Sequence, residues 1–213
     1  MTCPSQARLK AACETLSLAD PALARAYDLT GLPVWRAGDP TYAMLARMIT
    51  HQQISLGAAA AIWARTEALL GAVTPEAVLA ADPEALRACG QSRPKVGHLV
   101  SIAEAVVAGT LSLPRVCDAP LDDARKELVS VKGIGPWTAE LFLLYSIGAM
   151  DAFPVGDVGL MEAHKRLSGH ETRMDIKGFT AHAERWRPHR GVAAHLLWAW
   201  LHLDRGDAAP SPS

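Results

Sequence analysis

The nine residues Val131-Lys132-Gly133-Ile134-Gly135-Pro136-Trp137-Thr138-Ala139 decide how this chain is read. Gly133 and Gly135 remove Cβ where a backbone must turn tightly or approach another group closely. Pro136 suits the first turn of a helix, where a missing N–H costs nothing. Leu121–Val129 reads as a short helix upstream, so the string joins two helices through a Gly-Ile-Gly turn. The second helix then offers unpaired N–H groups and a positive dipole end, a ready site for an anion such as phosphate. Taken alone, a Gly-x-Gly turn is equally a plain corner between helices.

Working outward, the same punctuation recurs. Asp39-Pro40 predicts a cap and first turn that open a long helix to Leu70, stopped by Gly71. Thr74-Pro75-Glu76 and Asp82-Pro83-Glu84 repeat the device, and Gly90 closes the second of these short helices. Further helices are predicted over Pro94–Ala108 before Gly109, Pro136–Ile147 before Gly148, Asp157–Leu167 and Pro188–Asp204. Residues 1–40 are short and helical in character. No stretch alternates with the period of a half-buried strand, so the expected fold is all-α. The tail Ala208-Ala209-Pro210-Ser211-Pro212-Ser213 is expected to be disordered.

Bulk properties narrow the class. With 213 residues, 50% apolar and 20% charged, the chain can bury a core without disulfides or metal. No apolar run reaches membrane-spanning length and Met1–Lys10 has no signal-peptide pattern, which predicts an intracellular, cytoplasmic protein without a membrane partner. A net charge of −1 argues against indiscriminate coating of nucleic acid, although placement of the cations matters more than their sum. The densest basic patch is Arg185-Trp186-Arg187-Pro188-His189-Arg190, which alone reads best as a solvated helix junction. Cys3, Cys13, Cys89 and Cys117 have no metal-ligand spacing and read as reduced, mostly buried thiols. The eight histidines show no zinc motif; His195 and His202 share a helix face without a third partner.

Downstream of the turn lies Phe153-Pro154-Val155-Gly156-Asp157-Val158-Gly159-Leu160. On position alone Asp157 reads as a helix N-cap worth about 1 kcal/mol. Together, however, the turn and this segment resemble the helix-hairpin-helix (HhH-GPD) DNA glycosylases, most closely their alkylpurine (3-methyladenine) branch. The likeness runs from about Tyr42 to Leu203, with both motifs in the family's order. It implies two helical lobes with a cleft between them, one over about 41–149 and one joining 1–40 to 150–207. The N-terminal β-domain of longer bacterial members is absent.

The resemblance assigns roles. Asp157 matches the catalytic aspartate, which stabilises the oxocarbenium-like cation left when a purine departs and orients the attacking water. Many relatives carry a second acid before it, where this chain has Gly156; Asp151 reads as a loop acid. Trp137 stands where bifunctional relatives carry a Schiff-base lysine, implying a monofunctional enzyme without lyase activity. Trp137, Leu141, His195 and Trp198 fall on base-pocket positions, with Leu141 and His195 where relatives place aromatics. Trp198 and Trp200 lie on different helix faces, so one of them is expected in the core.

Met48-Ile49-Thr50-His51-Gln52-Gln53-Ile54-Ser55 resembles the wedge that fills the gap left by a flipped base, with Gln53 or Ile54 as the wedge and Gln52 in support. Leu86-Arg87-Ala88-Cys89-Gly90-Gln91-Ser92-Arg93-Pro94-Lys95 matches a family pattern that organises the central bundle. Lys132, Gly133, Gly135, Arg187 and Arg190 are the implied phosphate contacts. By the same likeness, the carbonyls of Val129, Val131 and Ile134 are candidates for a monovalent Na⁺ or K⁺ ion. The iron–sulfur cluster of the endonuclease III branch is excluded, since no cysteine follows Cys117.

The implied function is removal of alkylated purines such as 3-methyladenine and 7-methylguanine from double-stranded DNA by a monomer that needs no cofactor. Glycosylases for deaminated or etheno purines, a non-catalytic DNA-binding module and a helical scaffold are the alternatives. Asp157 discriminates, because phosphate binding alone has no use for a carboxylate beside the backbone.

Overall fold

The computed structural model describes residues 3–35 and 37–206, apart from the side chain of Leu56. The tail at 208–213 lies outside the described residues. Thirteen α-helices run in order among them: α1 Gln6–Ala19, α2 Pro21–Thr30, α3 Tyr42–His51, α4 Leu56–Leu70, α5 Pro75–Ala80, α6 Pro83–Ala88, α7 Arg93–Val107, α8 Leu113–Asp118, α9 Leu121–Val129, α10 Pro136–Phe142, α11 Val158–Leu167, α12 Ile176–Ala183 and α13 Arg190–Arg205. None is long and apolar enough to cross a membrane. Most starts are written in short polar residues. Ser5, Asp20, Thr41, Ser55, Thr74, Asp82, Ser92, Ser112, Asp157 and Asp175 each accept a first-turn N–H. Each such cap contributes about 1 kcal/mol.

The chain divides into two compact units, one of residues 1–37 with 143–213 and one of residues 38–142. The second unit contains α3 to α10. Its core includes Leu45, Ile49, Leu86, Leu99, Ile102, Leu111 and Phe142, all essentially inaccessible to solvent. The Tyr42 hydroxyl donates to the carbonyl of Leu99 at 2.9 Å and ties α3 to α7. In the first unit α1, α2, α11, α12 and α13 surround Phe153, Phe179 and Trp186, whose ring centroids lie 5.6–5.7 Å apart. Gly191 on α13 is required by packing: a Cβ there would fall 2.6 Å from the Leu144 side chain and 2.9 Å from the Met150 carbonyl.

Several expected boundaries are corrected. The single helix predicted from Asp39 to Leu70 is two, opened by Thr41 and broken at Gln52–Ser55. Ser55 caps the second piece, while a lysine from α7 takes up carbonyls at the end of the first. The helix predicted to Ile147 is α-helical only to Phe142, and Leu143–Ile147 form a wider π turn. The last helix starts at Arg190 rather than Pro188. α8 and α12 were not anticipated.

Candidate functional site

In the unit of residues 38–142, α9 ends at Val129 and the Gly-Ile-Gly turn leads into α10. Gly133 has φ +104°, and a Cβ on it would lie 2.7 Å from Cβ of His98 on α7. Glycine is therefore required twice over, by backbone sign and by close approach. Val131 and Ile134 are buried, and the Ile134 N–H donates to the Val131 carbonyl at 3.0 Å. Lys132, Gly135 and Pro136 are exposed, so a cationic side chain and the open end of α10 both face solvent. Trp137 is half-buried on the first turn of α10, and Leu141, four residues on, is buried.

The loop between α3 and α4 forms a tip held from behind. Lys95 Nζ donates to the carbonyls of Thr50 and Gln52 at 2.7 and 2.8 Å. Burial lowers the pKa of Lys95. Gln91 Nε2 donates to the hydroxyl of Thr50 at 2.8 Å. The side chain of Gln52 turns inward and donates to Thr138 Oγ1 at 2.8 Å. Gln52 thus ties the loop to α10. Gln53 and Ile54 are left exposed at the tip, and Gln53 is the one described non-glycine residue with positive φ, at +58°. A left-handed conformation at a residue with a side chain costs of order 1 kcal/mol and marks a place where the surroundings impose the geometry.

In the other unit, Asp157 caps α11. Its Oδ1 accepts the Leu160 N–H at 3.0 Å and the Trp198 indole N–H at 3.4 Å. The carboxylate is partly exposed and fixed in direction by two donors from two helices. Gly156 has φ +87°, which explains why no second acid precedes Asp157: a side chain there would be strained. A Cβ on Gly159 would lie 3.1 Å from Asp157 Oδ1, so that glycine leaves the carboxylate its room.

Beside Asp157 stands an aromatic cluster. Trp198 stacks on Tyr145 with centroids 6.0 Å apart, and His195 stacks on Trp35 at 4.3 Å. Tyr145 and Trp198 each meet His195 edge-on. Nδ1 of His195 lies 2.8 Å from the Gly191 carbonyl, and so carries the proton. A cavity of about 310 Å³ opens beside this cluster, lined by His195, Trp198, His202 and the 29–34 segment. The structure thus brings together Asp157, His195 and Trp198, and adds Trp35 and Tyr145, which the sequence reading missed. Trp200 is in the core. The signals for the missed pair were weak: Trp35 lies in an irregular stretch, and Tyr145 lies in the π turn.

Two of the expected phosphate contacts have acidic neighbours. Arg190 is buried, and its guanidinium grips Asp151 through Nε and Nη2 at 2.9 Å each, with Nη1 on Glu184 at 2.8 Å. Arg187 donates to Asp151 and Glu184 at 2.7 Å each. Arg190 is buried in this ion-pair cluster, whereas Arg187 stays exposed at its edge, and Asp151, a loop acid, also accepts the N–H at the start of α13. Their charge is balanced by Asp151 and Glu184.

Comparison with known proteins agrees with this geometry. The model of the HhH-GPD superfamily of base excision DNA repair proteins matches residues 46–188. DNA-3-methyladenine glycosylase 1 of Schizosaccharomyces pombe is 33% identical over 164 residues, covering 74% of this chain and 71% of that protein. DNA-3-methyladenine glycosylase 2 of Escherichia coli is 31% identical, covering 71% of this chain and 55% of that protein. The structure of the S. pombe enzyme Mag1 in complex with abasic DNA superposes with a TM-score of 0.79 at 30% identity, covering 88% of this chain and 94% of that one. A DNA-3-methyladenine glycosidase from Bacillus halodurans gives 0.77 at 31% identity, over 93% and 92% of the two chains.

Proposed function

Since the chain belongs to the HhH-GPD superfamily of base excision DNA repair proteins, we propose that it excises alkylated purines from double-stranded DNA as a monofunctional glycosylase. The observation that carries this reading is the carboxylate of Asp157, held by Leu160 and Trp198 next to stacked aromatic rings. A purine methylated at N3 or N7 is cationic. Rotated out of the duplex, it gains from stacking on aromatic faces. Breaking its glycosidic bond sends the electron pair to the base, which leaves neutral, and positive charge moves to the sugar. Asp157 opposes that charge as it develops. Water then adds to C1′ and gives up a proton, with the same carboxylate as acceptor, leaving an abasic site.

Other groups fit supporting roles. Lys132 and Gly135 are exposed at the hairpin, where backbone phosphate would be met. Gln53 and Ile54 are the groups available to enter the vacated stack. Trp137 has no amine to attack the sugar, which supports hydrolysis without strand cleavage. The carbonyls of Val129, Val131 and Ile134 are hard, neutral oxygens suited to a monovalent cation near the hairpin. The Val131 oxygen already accepts one N–H and retains a second lone pair. Incubation of the protein with methylated duplex DNA should release 3-methyladenine and 7-methylguanine and leave strands that break only on later alkaline treatment. Borohydride should trap no covalent adduct. Release of no alkylated base would overturn the proposal, and strand breaks without alkali would overturn its monofunctional part.

A further inference from the structure

We propose that Asp20, His164 and His182 form a binding site for one divalent transition-metal ion, with zinc the best match, built from residues to which no catalytic role is assigned. Asp20 caps α2, His164 sits in the last turns of α11, and His182 lies near the end of α12. One carboxylate oxygen has an ordinary task, since Oδ1 accepts the Ala22 N–H at 2.9 Å. The other is crowded. Oδ2 lies 2.8 Å from His182 Nε2, 3.0 Å from Trp186 Nε1 and 3.4 Å from His164 Nε2. A carboxylate oxygen has two lone-pair directions, and here three ring nitrogens converge on it. Without a metal, a proton from His182 and another from His164, or from the Ser168 hydroxyl 3.4 Å from His164 Nε2, must fill this space.

Exchanging those two protons for one cation relieves the crowding. Both imidazoles then offer Nε2 lone pairs, Asp20 supplies a negative oxygen, and the Trp186 N–H remains as an outer donor that steadies the carboxylate. The three ligand atoms lie within 4.8 Å of one another. Tetrahedral zinc with bonds near 2.1 Å places its ligand atoms about 3.4 Å apart. His164 stands at that separation from Asp20 already, and His182 would withdraw by about 0.6 Å. Two imidazoles and a carboxylate form a donor set that suits zinc. Burial alone would raise the Asp20 pKa, but bonds from His164, His182, the Ala22 N–H and Trp186 outweigh it and hold the carboxyl far below its usual range.

A cavity of about 410 Å³ adjoins the cluster, lined also by Arg25, Ser168, His170 and Arg185. It gives a route of entry and room for a fourth ligand, either water or His170. The two exposed arginines at its rim favour an anion or a polarised water there over a second cation. The ion would fasten the start of α2 to α11 and α12, and α11 carries Asp157 at its other end. Its role is structural, and metal-free protein should still excise bases.

The test uses the whole protein, stripped with a chelator and then titrated with Co²⁺ as a spectroscopic probe and Zn²⁺ as competitor. A single equivalent of Co²⁺ should give visible d–d bands of a nitrogen and oxygen site without thiolate charge-transfer bands. Zn²⁺ should displace it and raise the melting temperature. In His182→Gln, an amide still donates to Asp20, so metal-free melting should stay close to that of the wild type while Co²⁺ affinity falls at least tenfold. Absence of binding, unchanged affinity in His182→Gln, or thiolate charge-transfer bands would overturn the site, leaving a hydrogen-bonded triad or adventitious ligation by cysteine. The wild-type spectrum decides alone if the variant does not fold.

Discussion

Replacing Asp157 by asparagine removes one negative charge while keeping shape and hydrogen bonding. The amide oxygen can accept the same Leu160 and Trp198 N–H groups that Oδ1 accepts now. Asparagine caps helices about as well as aspartate. What α11 loses is the attraction between a carboxylate and its positive end, about 0.3–1 kcal/mol at a partly exposed site. For a chain of this size that lowers the melting temperature by about 1–3 °C. The effect on chemistry is larger. A charge about 4 Å from a developing cation, at an effective dielectric constant near 20, is worth about 4 kcal/mol. That corresponds to about a thousandfold in rate, and losses of about 10²–10³ accompany removal of a single group aimed at transition-state charge. Single-turnover release of 3-methyladenine and 7-methylguanine from methylated duplex, corrected for spontaneous loss, measures this term. Binding to an abasic-site duplex, measured separately, should change little. A folded variant whose release rate stays within about threefold of the wild type would refute the reasoning and reduce Asp157 to a cap.

Other perturbations probe the supports. Gln53→Ala should leave the melting temperature nearly unchanged, because the side chain is exposed. Excision from duplex DNA should fall about tenfold, the equivalent of about 1.4 kcal/mol of lost gap filling; equal excision would remove Gln53 from the wedge. Lys95→Met should destabilise the protein by about 1–3 kcal/mol in urea melts, since it leaves two carbonyls at the end of α3 without their charged donor. Gly156→Ala should cost about 1–2 kcal/mol, because φ is +87° there, and a melting curve equal to that of the wild type would contradict that conformation. Burial, aided by Arg47 and Lys95 for His51, lowers the pKa of His51 and, despite Asp151, of His189. Their folded values lie below the unfolded ones, so the neutral rings stabilise the fold above the ordinary histidine range and that contribution is lost as pH falls through and below it. Urea midpoints should therefore fall between pH 7.5 and 5.5, and His51→Gln should flatten the slope.

Helices announced by a cap and a proline were legible, because those signals act within one turn. The break at Gln52–Ser55 was not. Ser55 fits a helix interior as well as a cap, and the lysine that rewards the break stands more than forty residues away. Asp157 was legible as a cap from position, and its proposed catalytic role rests on its surrounding motif. The ion pairs of Arg187 and Arg190 were not legible, because a run of cations looks the same whether or not Asp151 and Glu184 stand beside it. The pocket looked short of aromatics, yet Trp35 and Tyr145 supply them from segments whose backbone geometry no periodicity reveals. α12 opens with an Asp175 cap that was present in the sequence and overlooked, as was Ser112 before α8.

The oxygens that Lys95 grips belong to the main chain. Its hold on the tip is therefore indifferent to which side chains stand at Gln53 and Ile54. A mount that ignores the tool it carries lets the tool be exchanged. Substitutions at Ile54, and at Gln53 those that tolerate its left-handed backbone, can accumulate without loosening the loop, and under the proposed wedge role descendants of one scaffold can come to probe different lesions or opposite bases. Gln52 and Thr138 lack that freedom, since their contact runs through the side chains themselves. Divergence among copies of this fold should accordingly gather at the tip and spare the residues immediately behind it.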